Sequence, residues 1–195
     1  RNILIDPSEE FLFVTVGSLT NAMIDPLKLE EEQGRASILK VNLLTGKKEF
    51  YAHGMRNPVG MDFEPTSGKL WAVVNERKDL GDNLVPDYLT QIDYGDFFGW
   101  PWYYWGNHAD PRHQDIPSID QDLKIPDYSL GAHVEARDLL FYKGEAFPSS
   151  WRSGAFVAEN GSWNRSQLSG YQVVYIPFEN GEPAGDPIPF MTGFL

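Results

Sequence analysis

Phe63-Glu64-Pro65-Thr66-Ser67-Gly68-Lys69-Leu70-Trp71-Ala72-Val73-Val74 is the stretch that decides the fold. A Pro-Thr-Ser-Gly turn feeds directly into aromatic, aliphatic and β-branched residues, the composition of a buried strand. The same grammar occurs at Asp6-Pro7-Ser8 ahead of Phe11-Leu12-Phe13-Val14-Thr15-Val16-Gly17. It returns more loosely at Phe147-Pro148 ahead of Gly154-Ala155-Phe156-Val157-Ala158. A second unit reads strand, turn, strand: Ile38-Leu39-Lys40-Val41-Asn42, then Leu44-Thr45-Gly46, then Glu49-Phe50-Tyr51. Its counterpart is Gln172-Val173-Val174-Tyr175-Ile176-Pro177-Phe178, then Asn180-Gly181, then Ile188-Pro189-Phe190-Met191. Short strands with Gly/Pro turns, in loosely repeating groups, predict an all-β fold of propeller blades, roughly three of them.

Two stretches stand outside this pattern. Residues 21–33, with Leu27, Leu29 and Glu30-Glu31-Glu32, read as a short helix or a surface loop. Residues 97–127, rich in Trp, Tyr and Pro, lack strand periodicity and read as a long ordered loop, a common location for function. Its Trp100-Pro101-Trp102-Tyr103-Tyr104-Trp105 cluster fits a sugar platform, because aromatic rings pack on the apolar faces of pyranoses; it fits a propeller core equally well.

The chain has 195 residues, a formal net charge of −12 and 14% aromatic residues. That charge argues against nucleic acid and anionic membranes as partners. No apolar run is long enough for a transmembrane helix, and the opening residues show no signal-peptide pattern. There is no cysteine, so neither a disulfide framework nor a thiolate metal site is available. Asn160-Gly161-Ser162 and Asn164-Arg165-Ser166 match the N-glycosylation triplet, which also arises often by chance.

Candidate chemistry begins at Gly54-Met55-Arg56-Asn57-Pro58-Val59-Gly60. Arg56 offers a rigid fork of donors and Asn57 both a donor and an acceptor, a pair suited to a carboxylate or carbonyl. The loop carrying Asp79, Gly81, Asp82 and Asn83 is an oxygen-rich, Gly-containing segment of the kind that wraps a hard cation. Two ordinary turns of a β-protein are the competing reading. No Gly-x-Gly-x-x-Gly fingerprint occurs in a βαβ setting, which disfavours a Rossmann-bound NAD or FAD.

Five segments in order, RNPVGMDFEPTSGKLWAVVNERKDLGDNLVPDYLT, FFGWPWYYWGNHADPR, PDYSLGAHV, GAFVAENGSWNRSQLSGYQVVYIPF and FMTGFL, resemble the glucose/sorbosone dehydrogenase family. The resemblance is nearest to the L-sorbosone dehydrogenase-like members. It implies a periplasmic or secreted quinoprotein using pyrroloquinoline quinone (PQQ) and Ca2+, which oxidises a sugar or aldehyde and passes electrons to an acceptor such as a cytochrome. It also implies a six-bladed propeller of more than twice this length. Residues 1–195 are therefore expected to be a central piece of one larger catalytic domain, exposing unpaired strand edges when isolated.

The resemblance also assigns residues. Arg56 and Asn57 match the pair that contacts quinone oxygens and a carboxylate. Glu76 falls where a side chain helps hold calcium and cofactor, with the backbone carbonyls of Arg77 and Lys78 following. Glu-Arg-Lys stands there in place of the Gln-Gly-Pro of the glucose dehydrogenases. Asp82 aligns with an acidic residue near the base, and His133 with a polar group beside the quinone. Trp163, Asn164 and Arg165 fall where a cation meets the cofactor, with Trp163 able to stack on a ring; the family's histidine is replaced by Asn160. The catalytic base, a histidine, is expected upstream of Arg1. His53, His108 and His113 read as bland. The alternatives are a non-catalytic propeller binding sugar or protein through the Trp-rich loop, and a calcium-dependent propeller hydrolase such as a lactonase.

Overall fold

The computed structural model describes residues 2–195. The first strands in chain order are β1 (Ile3–Ile5), β2 (Phe11–Val16), β3 (Ser37–Asn42), β4 (Lys48–His53), β5 (Pro58–Phe63), β6 (Leu70–Val74) and β7 (Pro86–Ile92). They are followed by β8 (Tyr103–Tyr104), β9 (His108–Ala109), β10 (Tyr128–Ala132), β11 (Ala136–Phe141), β12 (Gly154–Glu159), β13 (Gln172–Glu179), β14 (Glu182–Pro183) and β15 (Ile188–Met191). Among the described residues helical structure is confined to two 3-10 turns, Pro26–Lys28 and Ser149–Trp151. No helix among them is long and apolar enough to cross a membrane.

Three antiparallel sheets follow one another along the chain. Their orders are β1-β2-β3-β4, then β5-β6-β7-β10, then β11-β12-β13 with β15 and the short β14 both on β13. The three blades expected from the turn grammar are these three sheets. They are distributed over two compact units, each built from two chain segments: residues 1–58 with 93–126, and residues 59–92 with 127–195.

The first unit holds the first sheet and the Trp-rich insertion. Phe13 meets Tyr51 edge-on, ring centroids 4.9 Å apart. The insertion is ordered, as expected, by long-range pairing. Phe97 bridges His53 on one side and Leu123 on the other, and β8 and β9 close a minimal hairpin. Gly54 is required here, with φ +74°, because a Cβ would strike the Phe97 ring and the Gly99 nitrogen. Residues 21–33 are turns around the first 3-10 element rather than a regular helix. They are anchored by buried Glu32, whose carboxylate accepts the N–H groups of Leu19 (2.9 Å) and Thr20 (2.7 Å).

The second unit packs the other two sheets around Trp71, Val73, Leu89, Phe141, Val157, Ile176 and Phe178. Phe178 takes the edges of Trp71 and Phe141 at centroid separations of 5.1 and 5.0 Å. Each fully buried aromatic side chain contributes about 2–3 kcal/mol of apolar burial, so this contact is the unit's centre. Close packing also explains why β6 reads as an uninterrupted apolar run: all five of its residues are buried.

Candidate active site

In the second unit, β6 ends at Val74 and the chain turns through Asn75-Glu76-Arg77-Lys78, all four buried. A buried polar turn must find partners for every charge. Arg77, at 0% exposure, pairs with the Oε2 of Glu76 at 3.1 Å, an oxygen that also accepts the Arg77 backbone N–H at 2.9 Å. The resemblance assigns the Glu76 carboxylate to calcium; one of its oxygens is committed to a buried guanidinium. The Arg77 carbonyl lies 3.5 Å from the Val85 N–H.

Beneath this turn sits Asp87 of β7, which no motif in the sequence singles out. Its carboxylate accepts the backbone N–H groups of Glu76 (2.8 Å) and Ala136 (3.0 Å), and the Asn75 amide lies at 3.3 Å. Burial pushes this carboxyl up to about 7, and the charge of Glu76 adds to the effect, against the pull of the two N–H donors and Lys78. The available signal was a charged residue inside a strand whose neighbours are buried and mostly apolar.

Lys78 reaches the other way. Its Nζ lies 2.7 Å from Oε1 of Glu135 and 4.4 Å from the centroid of the Trp163 ring. Glu135 also accepts from Arg137 (2.8 Å) and from the Asn160 amide (2.9 Å). Burial alone would raise the Glu135 carboxyl. The hydrogen bonds from Lys78 and Asn160, with the charges of Lys78 and Arg137, outweigh it and hold the group at about 2. Asn160, the residue expected to replace the family's histidine, is thus a partner of Glu135.

The acidic loop was expected to wrap a cation. Among the described residues no cluster of three or more acidic or histidine side chains is placed to hold a metal. The loop instead docks on the segment that carries Trp163. Asp82 accepts the Ser166 N–H at 3.1 Å, and the Asn83 amide oxygen lies 3.3 Å from an Arg165 amino nitrogen. Bonds from Ser166, then the charges of Arg165 and His133, lower the Asp82 carboxyl. His133, buried and with φ +61°, donates from Nε2 to the Gly81 carbonyl at 2.9 Å.

The second unit thus brings together Glu76, Arg77, Lys78, Asp82, His133, Trp163, Asn164 and Arg165. Two of their atoms are left over: Oδ1 of Asn164 and Nε of Arg165 are buried with no hydrogen-bond partner. A buried acceptor and a buried cationic donor on consecutive residues fit a ligand that carries both a hydrogen-bond donor, such as a ring N–H, and a carbonyl or carboxylate oxygen. Trp163, one face of which meets Lys78, is nonetheless 68% exposed beside them.

Arg56 and Asn57 belong to the first unit. The Arg56 carbonyl accepts the Ser18 N–H at 2.8 Å, and the Asn57 amide oxygen lies so near Gly17 that any Cβ there would overlap it. Trp100 is core, packed with Met23 and Ala36 and donating from Nε1 to the Asn21 carbonyl at 3.2 Å. Trp102 is only partly buried against that core. The bland histidines are held by ordinary contacts: His53 stacks on Phe97, His108 meets the Trp105 carbonyl and His113 the Ala22 carbonyl.

The model of the Glucose / Sorbosone dehydrogenase family matches residues 2–174. An uncharacterized protein of Borreliella burgdorferi is 36% identical over 205 residues, spanning 100% of this chain and 50% of that protein. Three solved structures share the fold. A calcium structure of a Trichoderma reesei carbohydrate-active enzyme of family AA12 has TM-score 0.79 and 19% identity, over 98% of this chain and 57% of that one. The holo form of the pyranose dehydrogenase PQQ domain from Coprinopsis cinerea has TM-score 0.70 and 20% identity, over 97% and 56%. The apo-form soluble aldose sugar dehydrogenase of Escherichia coli has TM-score 0.67 and 17% identity, over 95% and 52%. The chain spans about half the length of the relatives it matches.

Proposed function

Because the chain belongs to the glucose/sorbosone dehydrogenase family, we propose that it forms part of a PQQ- and calcium-dependent sugar or aldose dehydrogenase, within a six-bladed propeller of which residues 1–195 supply three blades. The observation that carries this reading is the pair of unpartnered buried atoms, Asn164 Oδ1 and Arg165 Nε, next to the exposed face of Trp163. When bound, PQQ would supply the hydride acceptor that no side chain offers.

The chain's own residues provide binding and charge. Arg165 would meet a carboxylate or quinone oxygen as a cation, Asn164 would accept from a ring N–H, and Trp163 would flank the ring plane. His133 and Asp82 hold the loop that faces Arg165. Glu76 and the carbonyls of Arg77 and Lys78 would serve calcium, the carbonyls being the oxygens best suited to it once Arg77 has claimed Oε2 of Glu76. The part of Arg56 and Asn57 in cofactor binding is proposed from the family's Arg-Asn pair alone. A histidine base outside residues 1–195, a periplasmic or secreted location and a cytochrome-type acceptor belong to the same proposal.

The test is calorimetric titration of PQQ with calcium into this chain and into the longer protein, beside dye-linked oxidation of L-sorbosone, L-fucose and glucose. Binding to the longer protein that falls about tenfold or more in Arg165→Ala, the loss of one charge-assisted contact, supports the reading. Absence of PQQ binding to either form rejects it.

A further inference from the structure

The first unit contains a cleft of about 880 Å3 that the cofactor reading does not use. Its size falls within the range of about 300–1,000 Å3 typical of small-ligand sites. The floor is aromatic and buried: Phe97 and Trp100 are nearly inaccessible, and Met23 and Ala36 complete it. Two aromatic side chains on its wall retain accessible surface, Trp102 and the 52% exposed Phe50. The rim is polar and exposed, with Glu30, Gln33, Asp120 and Gln121.

The charge of the lining narrows the occupant. Glu30 and Asp120 on the rim disfavour an anion. Arg35 has its Nε tied to the Glu31 carbonyl at 3.1 Å. Burial lowers the His53 pKa, against the Asp96 backbone bond, which disfavours a cation on that wall. Glu32, the remaining acid of the lining, spends its carboxylate on Leu19 and Thr20. What remains is an aromatic surface for C–H faces beneath carboxylate and amide groups that accept hydroxyl protons. A neutral carbohydrate presents both chemistries on opposite sides of one ring.

We infer that this cleft binds a neutral saccharide, with Trp102 and Phe50 as the stacking surface and the polar rim reading the hydroxyls. The site is complete within the first unit and requires no cofactor. A failure of PQQ binding therefore leaves this inference standing, and the reverse also holds.

The experiment is saturation-transfer NMR and calorimetry on the full chain without PQQ or calcium, using cellobiose, maltose and glucose. Glucuronate, cyclohexanol and cyclohexylamine serve as anionic, apolar and cationic probes. The expected result is saturable binding of a neutral sugar, weakened about tenfold by Trp102→Ala through loss of stacking. Phe50→Ala, at a half-exposed strand position that folding tolerates, should weaken it severalfold, and Leu44→Ala on an exposed turn should not change it. Circular dichroism establishes that each variant is folded. No sugar binding, equal binding by the folded Trp102→Ala and Phe50→Ala variants, or displacement of sugar by cyclohexanol or cyclohexylamine at lower concentration overturns the inference.

Discussion

Lys78 is held on two sides, by a carboxylate 2.7 Å away and by the face of Trp163. Both members of the ion pair are nearly buried, so neither can turn to water when the other is removed. Lys78→Met should cost about 2 kcal/mol, the loss of a charged hydrogen bond from a buried acceptor. A Lys78→Met/Glu135→Leu double variant should recover much of that, which a double-mutant cycle on urea midpoints will show. The two shifted glutamates also set opposite pH limits. Glu159 is pushed up to about 7 from 4.5 by burial, against a bond from Gln172. Its contribution is complete below pH 4.5 and is lost as pH rises through 7. Glu135, held at about 2, contributes above pH 4.5 and loses that contribution as pH falls toward 2. The urea midpoint should therefore decline from pH 5 to 8 less steeply in Glu159→Gln than in the parent. Its fall below pH 4 should be blunted in Glu135→Gln.

At the scale of elements, the turn at Gly54 joins the first sheet to the Trp-rich insertion. Gly54→Ala should destabilise the first unit by about 2 kcal/mol, from positive φ combined with collision against Phe97. Hydrogen exchange should quicken at the Phe98 and Trp100 amides, whose partners are the His53 and Gly54 carbonyls. Strands such as Leu70–Val74 were legible in the sequence because turn residues and apolar runs are local signals. The docking of residues 97–123 was not legible, because Phe97 pairs with His53 and Leu123 across separations that leave no periodicity. The site was legible as a set of segments and poorly legible as a network. The family's motifs drew attention to Glu76, His133 and Arg165. Asp87 and Glu135 hold the Glu76–Lys78 turn from below and beside; Asp87 lies on the next strand and Glu135 57 residues beyond Lys78, and only a charge in a buried setting marks either of them.

At the scale of the whole molecule, the outer strands carry apolar side chains into solvent. Ile3 and Ile5 are exposed on β1, and Ile188 and Met191 on β15. Unpaired edges of this composition recruit other strands. Sedimentation velocity of the isolated chain should show concentration-dependent association, and an Ile3→Lys/Ile5→Lys variant should shift it toward monomer. The same variant should be neutral or harmful in the longer protein if the edge is covered there.

The excursion of residues 93–126 between β7 and β10 means that neither compact unit is a continuous stretch of chain. On the ribosome, β1 to β4 emerge ahead of the segment that caps their unit, which arrives only after β5 to β7 have been made. At roughly 5–20 residues per second, the first sheet waits on the order of seconds for the segment that brings Phe97 and Trp100 to it. No single truncation can separate the two units from each other.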